Sequence, residues 1–295
     1  MNIAIFGRYT DNTEPQILVD FFAYLVQKEI SFKVYQPYAH QLFERIGREA
    51  FPEEIPFFTV REELIHSRFI YCFGGDGTVL EAVRFLGDLT KPILGVNFGR
   101  LGYLTSITQH NLIRATEELQ RDMYRLDDRS LISVVSDPAG LFGENPYGIN
   151  DLTIHKNKTN EMITVHTYIN GEFLNSYWGD GLIIATPTGS TAYSLSCGGP
   201  IIFPSSATFV ITPVASHSLT VRPVVIPDDW VVSFEIESRS GEAMVALDTR
   251  TELVHTHTSI AVKRCPYKIQ LLRMSTTKYV DNLRRSLMWG SDNRN

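Results

Sequence analysis

A single change of hydrophobic period divides this chain of 295 residues. Up to about residue 125, short apolar runs alternate with segments of helical spacing, as where Asn2 to Phe6 precedes Glu14 to Lys28. This alternation predicts βα units wound into a mostly parallel sheet. From about residue 126 onward, apolar and polar residues alternate singly, which predicts β-strands. We therefore expect an α/β domain over residues 1–125 and an all-β domain over residues 126–272.

Two shorter patterns refine this prediction. Asn170-Gly171 lies between two alternating runs, and these residue types supply the two positive φ angles that a type I′ hairpin requires. Residues 278–288 return to helical spacing through Val280, Leu283 and Leu287. We expect this last segment, residues 273–295, to return to the first domain.

Composition excludes several classes of protein. Lys and Arg number 27 against 33 Asp and Glu, a net charge of -6, and no window is strongly basic. Nucleic acid is therefore a poor candidate partner. No stretch approaches the length of a membrane span and no signal peptide precedes the first strand, so we expect a cytoplasmic protein without a membrane partner. Three widely spaced cysteines indicate free thiols in a reducing compartment.

A glycine-rich turn, Gly74-Gly75-Asp76-Gly77-Thr78, joins the apolar run 69–73 to a helical segment. Its glycines let a ligand approach the backbone, and the amides of the following helix attract phosphate. The Asp76 carboxylate would repel phosphate, so it indicates a separate role, either accepting a proton from a hydroxyl or holding a metal that bridges phosphates. The alternative is that Asp76 only caps the helix. Neither a Walker loop nor Gly-x-Gly-x-x-Gly occurs.

Two other segments carry polar groups that suit a nucleotide. Hydroxyl side chains are dense in residues 186–196, and such a set can bind ribose, phosphate or an adenine edge, or can simply cap a turn. Asn150-Asp151 opens a predicted strand and can hold both hydroxyls of a ribose, or satisfy a turn. His255 and His257 have no acid or cysteine at ligand spacing, so no metal site is assigned.

Taken in order, four blocks resemble the NAD kinase family, whose members phosphorylate the 2′-hydroxyl of the adenosine ribose of NAD to make NADP. The blocks are residues 74–78, Asn97-Phe98-Gly99-Arg100-Leu101-Gly102-Tyr103-Leu104, Asn150-Asp151, and residues 180–193, Asp180 to Tyr193. The resemblance extends from about residue 70 to the C-terminus. It implies an N-terminal α/β domain, an all-β, sandwich-like dinucleotide-binding domain, and a C-terminal segment that packs back on the first domain.

The resemblance also implies roles for individual residues. It makes Asp76 the general base for the 2′-hydroxyl. The residues implied around NAD are Gly75, Gly77, Phe98, Tyr103, Asn150, Asp151, Asp180, Ala185, Thr188, Thr191, Ala192, Tyr193 and Ser196. Asp180 and Ala185 match positions that the family can contribute from a neighbouring subunit. Gly74, Thr78 and Arg250 are expected near phosphate. Arg250 lies in Asp248-Thr249-Arg250, where the family often has Asp-Gly-Gln or Asp-Ser-Gln.

The partners implied by the resemblance are NAD and ATP, with Mg²⁺ or another divalent metal accompanying ATP. A homodimer or homotetramer with sites near the subunit interfaces is expected. Two alternatives share part of the pattern. A lipid kinase of the diacylglycerol type shares only the turn at residues 74–78, and a non-catalytic dinucleotide sensor would share the pocket without the reaction.

Overall fold

The computed structural model describes residues 1–99, 102–274 and 279–287, and the chain divides into two compact units. Unit 1 comprises Met1–Asp127 and Ile269–Asn295, and unit 2 comprises Asp128–Lys268. Arg100 and Leu101 of the second block, and residues 275–278 and 288–295 of the C-terminal segment, lie outside the described residues. Across the described ranges, every helix is too short or too polar to cross a bilayer.

The helices and strands follow the predicted change of period. Those before residue 128 are β1 (Asn2–Gly7), α1 (Pro15–Gln27), β2 (Ser31–Tyr35), α2 (Gln36–Ile46), β3 (Phe57–Phe58), β4 (Phe69–Phe73), α3 (Asp76–Leu86), β5 (Ile93–Asn97), β6 (Ile107–Thr108), α4 (Leu112–Gln120) and the start of β7 (Tyr124–Asp137). Those after it are β8 (Tyr147–Gly148), β9 (Asp151–Lys156), β10 (Ile163–Ile169), β11 (Glu172–Gly179), β12 (Gly181–Ala185), α5 (Tyr193–Ser196), β13 (Thr208–Val214), β14 (Val224–Pro227), β15 (Val232–Glu237), β16 (Glu242–Leu247), β17 (Arg250–His255), β18 (Ser259–Met274) and α6 (Tyr279–Ser286).

Unit 1 is built on a parallel sheet with the strand order β18-β5-β4-β1-β2-β3. Strands β4 and β5 are buried at every position, as expected for parallel strands that have both faces covered. The C-terminal part of β18 joins this sheet, where Leu271 pairs in parallel with Ile93. The carboxyl ends of β4 and β5 therefore lie at one edge of the sheet, and the loop after Asn97 lies beside the turn after Phe73.

Unit 2 consists of two antiparallel sheets that share one core. One sheet has the order β14-β13-β12-β9-β16-β17, and the other contains β11, β10, β15 and the first part of β18. Leu152 of the first sheet and Val165 of the second belong to the same buried cluster. The Asn170-Gly171 hairpin is present between β10 and β11, with φ angles of 50° and 86°. The α/β and sandwich-like β architecture is confirmed, and the last described helix belongs to unit 1.

Candidate active site

The glycine turn of unit 1 leaves its backbone open to a ligand. The Gly74 amide donates to the carbonyl of Val96 (3.0 Å), and the Thr78 amide donates to the carbonyl of Gly75 (3.0 Å). A Cβ placed on Gly75 or Gly77 would meet no atom within 4 Å. Because α3 begins at Asp76, the amides of Asp76 and Gly77 precede its first hydrogen-bonded turn and have no acceptor within the helix. This is the arrangement that attracts an anionic oxygen.

The Asp76 carboxylate is held by the loop after β5. Oδ2 accepts a hydrogen bond from the Tyr103 amide (2.8 Å), and Oδ1 accepts from the amides of Leu104 (3.1 Å) and Thr105 (3.2 Å). The side chain makes no capping hydrogen bond to α3, whose N-cap is Gly75, so the capping alternative is wrong. A carboxylate has about four lone-pair positions. Three amides therefore leave Oδ2 able to accept one more hydrogen bond.

The other side of that loop is held by a residue that the sequence interpretation missed. Arg273 donates through Nη2 to the carbonyl of Tyr103 (2.9 Å) and through Nη1 to the carbonyl of Thr105 (3.1 Å) and to Ser106 Oγ (3.1 Å). Its Nε lies 3.2 Å from Asp127 Oδ2. The available signal was a charged residue inside the apolar run Leu271-Leu272-Arg273-Met274.

The two aromatic residues predicted to line the dinucleotide pocket differ in accessibility. Phe98 is 5% exposed and its ring centroid lies 5.6 Å from that of Phe73, in the core of unit 1. This placement does not support a contact between Phe98 and a ligand. Tyr103 is partly exposed, and burial, Tyr279 and Asp76 raise the pKa of its hydroxyl. Tyr103 therefore remains the aromatic candidate in this block.

In unit 2, Asp248 organises the entrance to β9. Its carboxylate accepts hydrogen bonds from the amides of Ile149 (2.9 Å), Asn150 (2.8 Å) and Asp151 (3.3 Å). Thr186 ties the same segment to the end of β12, because its amide donates to the Asn150 carbonyl (2.8 Å). Asp248 was not among the predicted site residues. The signal was an Asp between the alternating runs of β16 and β17, at a positive φ of 52°.

The hydroxyl-rich segment after β12 divides into two groups. Thr186, Ser190 and Ser194 are buried and bond within unit 2. Ser190 Oγ accepts from the Ile202 amide (2.9 Å), and Ser194 Oγ lies 2.8 Å from Thr212 Oγ1. These three hydroxyls therefore fix the turn and are unavailable as ligand groups in this conformation.

The second group is the one that the resemblance assigns to NAD. Thr188 is buried and its Oγ1 accepts from Arg129 Nη1 (3.2 Å). Thr191 and Ala192 are partly exposed, whereas Tyr193 and Ser196 are exposed. Burial, Cys197, Asp180 and Asp151 together raise the pKa of the Tyr193 hydroxyl. The Asn150-Asp151 entrance thus lies beside the end of β12 and the segment that follows it, because Asp151 pairs with Ala185 and the Thr186 amide donates to the Asn150 carbonyl. Asp180 lies at the opposite end of β12, beside Lys156.

Asp151 and Asp248 form a buried pair of acids. Burial and the charge of Asp248 raise the pKa of Asp151 to about 7, against a weak opposing hydrogen bond from Thr153. Burial also raises the pKa of Asp248, but its three amide donors and Arg250 oppose that rise. The charged form is therefore better stabilised at Asp248, which accepts from three amides, than at Asp151, which has only the Thr153 hydroxyl.

Asp151→Asn is expected to raise the melting temperature of the ligand-free protein more at about pH 8 than at about pH 5. Because the folded pKa of Asp151 lies above the ordinary value of about 3.9, the stability that its proton contributes is lost as pH rises towards the folded value. Asn stays neutral throughout, so its advantage grows over this range. Calorimetric scans at the two pH values measure the effect. Exposed Asp20→Asn is the matched control, and an equal gain at both pH values would contradict the assignment.

The structure gives three more predicted site residues defined surroundings, which limit the roles of Arg250 and Ala185. Arg250 donates through Nη1 to the Asn145 carbonyl (2.5 Å) and through Nη2 to the Tyr147 carbonyl (2.7 Å), so its guanidinium is engaged in holding that loop rather than offered to phosphate. Ala185 is fully buried within unit 2, so its side chain cannot serve a neighbouring subunit. Asp180 is partly exposed and pairs with Lys156 Nζ at 2.6 Å.

Comparison with known proteins identifies the family of the chain. Residues 5–124 match the family model of the ATP-NAD kinase N-terminal domain, and residues 149–274 match that of the ATP-NAD kinase C-terminal domain. The chain belongs to the ATP-NAD kinase family. The first match includes Asp76 and the second includes Asp248, and each of these carboxylates accepts hydrogen bonds from three backbone amides.

Relatives in the ATP-NAD kinase family match most or all of the chain. A NAD kinase of Cytophaga hutchinsonii is 40% identical over 295 residues and covers 100% of both chains. A NAD kinase of Bacteroides fragilis is 44% identical over 225 residues, 76% of this chain and 77% of that protein. Two solved structures share the fold. Yeast NADH kinase complexed with NADH has a TM-score of 0.86 at 21% identity, with 99% of this chain and 89% of that chain covered. An Archaeoglobus fulgidus NAD kinase in complex with ATP has a TM-score of 0.72 at 20% identity, with 97% and 99% covered.

Proposed function

We propose that this chain transfers the γ-phosphoryl group of ATP to the 2′-hydroxyl of the adenosine ribose of NAD. The ribose oxygen attacks the γ-phosphorus, the bond from that phosphorus to the β-γ bridging oxygen breaks, and ADP leaves. The ribose proton passes to Asp76. Membership of the ATP-NAD kinase family along the chain supports the substrates, and the setting of Asp76 supports the reaction.

The observation that carries the proposal is the fixed carboxylate of Asp76. Three backbone amides hold its two oxygens, while Oδ2 retains one acceptor position for a substrate hydroxyl. Phosphoryl transfer depends mainly on positioning and on stabilising spread negative charge, so a strong base is not required. The open backbone at Gly75 and Gly77 supplies amides suited to phosphate, whereas the amides of the predicted phosphate residues Gly74 and Thr78 donate to backbone carbonyls.

Residues of unit 2 are proposed to hold the dinucleotide. Asn150 and Asp151 would bond the ribose hydroxyls on the nicotinamide side, because Asp248 fixes their backbone. The neighbouring segment offers hydroxyls and an exposed aromatic ring for adenine, ribose and phosphate. Its proposed ligand residues are Thr188, Thr191, Ala192, Tyr193 and Ser196.

Mg²⁺ is proposed to enter with ATP. Among the described residues, no group of three His, Cys, Asp or Glu side chains could hold a metal ion. Mg²⁺ in kinases is usually held mainly by substrate phosphates and water, with one or two carboxylates. When bound, the ion would neutralise phosphate charge.

Two further properties are proposed. Asp180 is partly exposed and fixed by Lys156, so it is available to a second copy of the chain, in keeping with a homodimer or homotetramer. Light scattering of the purified protein measures the oligomeric state, and a monomer would contradict this proposal.

We also propose that the reaction takes place in the cytoplasm, where ATP and NAD are both available as soluble substrates.

The activity is tested by incubating purified protein with NAD, ATP and Mg²⁺ and measuring NADP with an NADP-specific dehydrogenase. NADP that accumulates only when all three are present supports the proposal. A parallel reaction with NADH measures acceptor preference. NAD binding without NADP formation would support the dinucleotide sensor, and phosphorylation of diacylglycerol but not NAD would support the lipid kinase.

A further inference from the structure

We infer that Arg273 is a positioning residue that fixes the Asp76 carboxylate through a single peptide group. The peptide between Tyr103 and Leu104 lies between the two side chains. Its carbonyl accepts from Arg273 Nη2 (2.9 Å), and its N–H donates to Asp76 Oδ1 (3.1 Å). This inference rests on the proposed function, because it assigns Arg273 a part in the reaction of Asp76.

The chemistry of this bridge favours an arginine. A cation that donates to a carbonyl polarises the peptide group and strengthens the hydrogen bond that its N–H donates. The planar guanidinium reaches the carbonyls of both Tyr103 and Thr105, whereas a lysine ammonium cannot present the same rigid fork. Arg273 is 6% exposed, so its charge requires a partner, and Asp127 provides one at 3.2 Å.

The loop packs closely against the Asp76 carboxylate. A Cβ on Gly102 would overlap the Asp76 carboxylate, so the backbone at that residue lies directly against it. Asn282 Nδ2 donates to the Gly102 carbonyl (3.1 Å) and supports the loop from the C-terminal helix. The C-terminal segment therefore contributes two side chains that set where the loop, and with it the carboxylate, lies.

The test is a double-mutant cycle between Arg273→Lys and Asp76→Asn. Arg273→Lys alone is expected to lower kcat for NADP formation at least about tenfold, with KM for NAD changed less than about twofold, since small displacements of a catalytic group are costly. In the Asp76→Asn background the same change is expected to lower kcat less than about twofold, because it acts through Asp76. Equal losses in the two backgrounds would overturn the inference, since a merely structural role is additive.

Amide hydrogen exchange gives a readout that does not depend on activity. Both single variants are expected to speed exchange at Leu104, whereas Arg48→Lys, which alters a guanidinium bonded to the Pro52 carbonyl (2.7 Å), is the matched control and leaves it unchanged. Unchanged exchange at Leu104 in Arg273→Lys would also overturn the inference. Wild-type protein that makes no NADP would instead refute the proposed function. Hydrogen exchange at Leu104 would still test whether Arg273 fixes the peptide group that holds Asp76.

Asp127→Asn provides a second variant if Arg273→Lys fails to fold. It keeps the guanidinium and removes only its charged partner, so kcat is expected to fall a few-fold with KM for NAD unchanged. Wild-type kcat in a folded Asp127→Asn protein, together with unchanged exchange at Leu104, would count against the inference.

Discussion

Asp76→Asn is expected to lower kcat for NADP formation at least about a hundredfold while KM for NAD changes less than about threefold, within the range of general-base contributions. The amide cannot take the ribose proton. It also places an NH₂ group opposite backbone N–H donors, either that of Tyr103 or those of Leu104 and Thr105, depending on which way the amide is turned. Steady-state kinetics and NAD titration calorimetry measure the two effects separately.

Asp76→Glu separates charge from position. Glutamate keeps the carboxylate but is one methylene longer, and the backbone at Gly102 leaves no space for that length. We expect a loss of kcat comparable to that of Asp76→Asn. Asp20→Asn, on the exposed face of α1, is the matched control and should retain wild-type kcat. Wild-type turnover by Asp76→Asn would remove this residue from the reaction.

Gly189→Ala is expected to raise KM for NAD at least about tenfold, a loss of about 1.4 kcal/mol of binding free energy. A Cβ at this buried position would overlap the backbone carbonyl of Asn150, and backbone cannot rotate away as a side chain can. The strand entrance and the 188–196 segment must then separate. Overpacking of this kind also costs about 1–3 kcal/mol of stability. Kinetics and thermal unfolding measure the two consequences.

The control for Gly189→Ala is Gly171→Asn. Gly171 lies in the β10–β11 hairpin, where a Cβ would meet no atom within 4 Å and asparagine tolerates the positive φ. This variant should keep the wild-type KM for NAD. If Gly189→Ala also binds NAD as tightly as wild type while remaining folded, the segment around Asn150 does not hold the dinucleotide.

Elements with a strong local signal could be predicted from the sequence. Strand β4 is a continuous apolar run followed by glycines, and the hairpin at Asn170 has its own turn chemistry, so both are confirmed. Helix α2 was missed because it follows β2 without an intervening loop and begins with Gln36-Pro37. Helix α3 begins at Asp76, before the apolar positions Val79, Leu80 and Val83 that carry its helical spacing, because Asp76 and Gly77 of the turn already belong to the helix.

For the candidate site, the sequence predicts which residue types can take part in the reaction but not the contacts that hold them. The sequence indicates that Asp76 has a role other than binding phosphate, but it does not show that three amides from a loop 27 residues away hold the carboxylate. The same limit applies to Asp248, which acts on Asn150 and Asp151 from about a hundred residues further on. Such contacts depend on the pairing of distant strands, which a local pattern does not specify. The phosphate role of Arg250 lost support for the same reason, because its carbonyl partners lie in a distant loop.

Phosphorus NMR of the product formed in a single turnover tests the role of Asp76 most directly, with wild-type protein and Asp76→Asn each saturated with NAD and ATP. We expect the wild-type sample to yield a phosphate monoester on the 2′-oxygen of the adenosine ribose, and the variant to yield almost none in the same time. Equal yields from the two proteins, or a phosphate on any other oxygen, would contradict the assignment of Asp76 as the base for that hydroxyl.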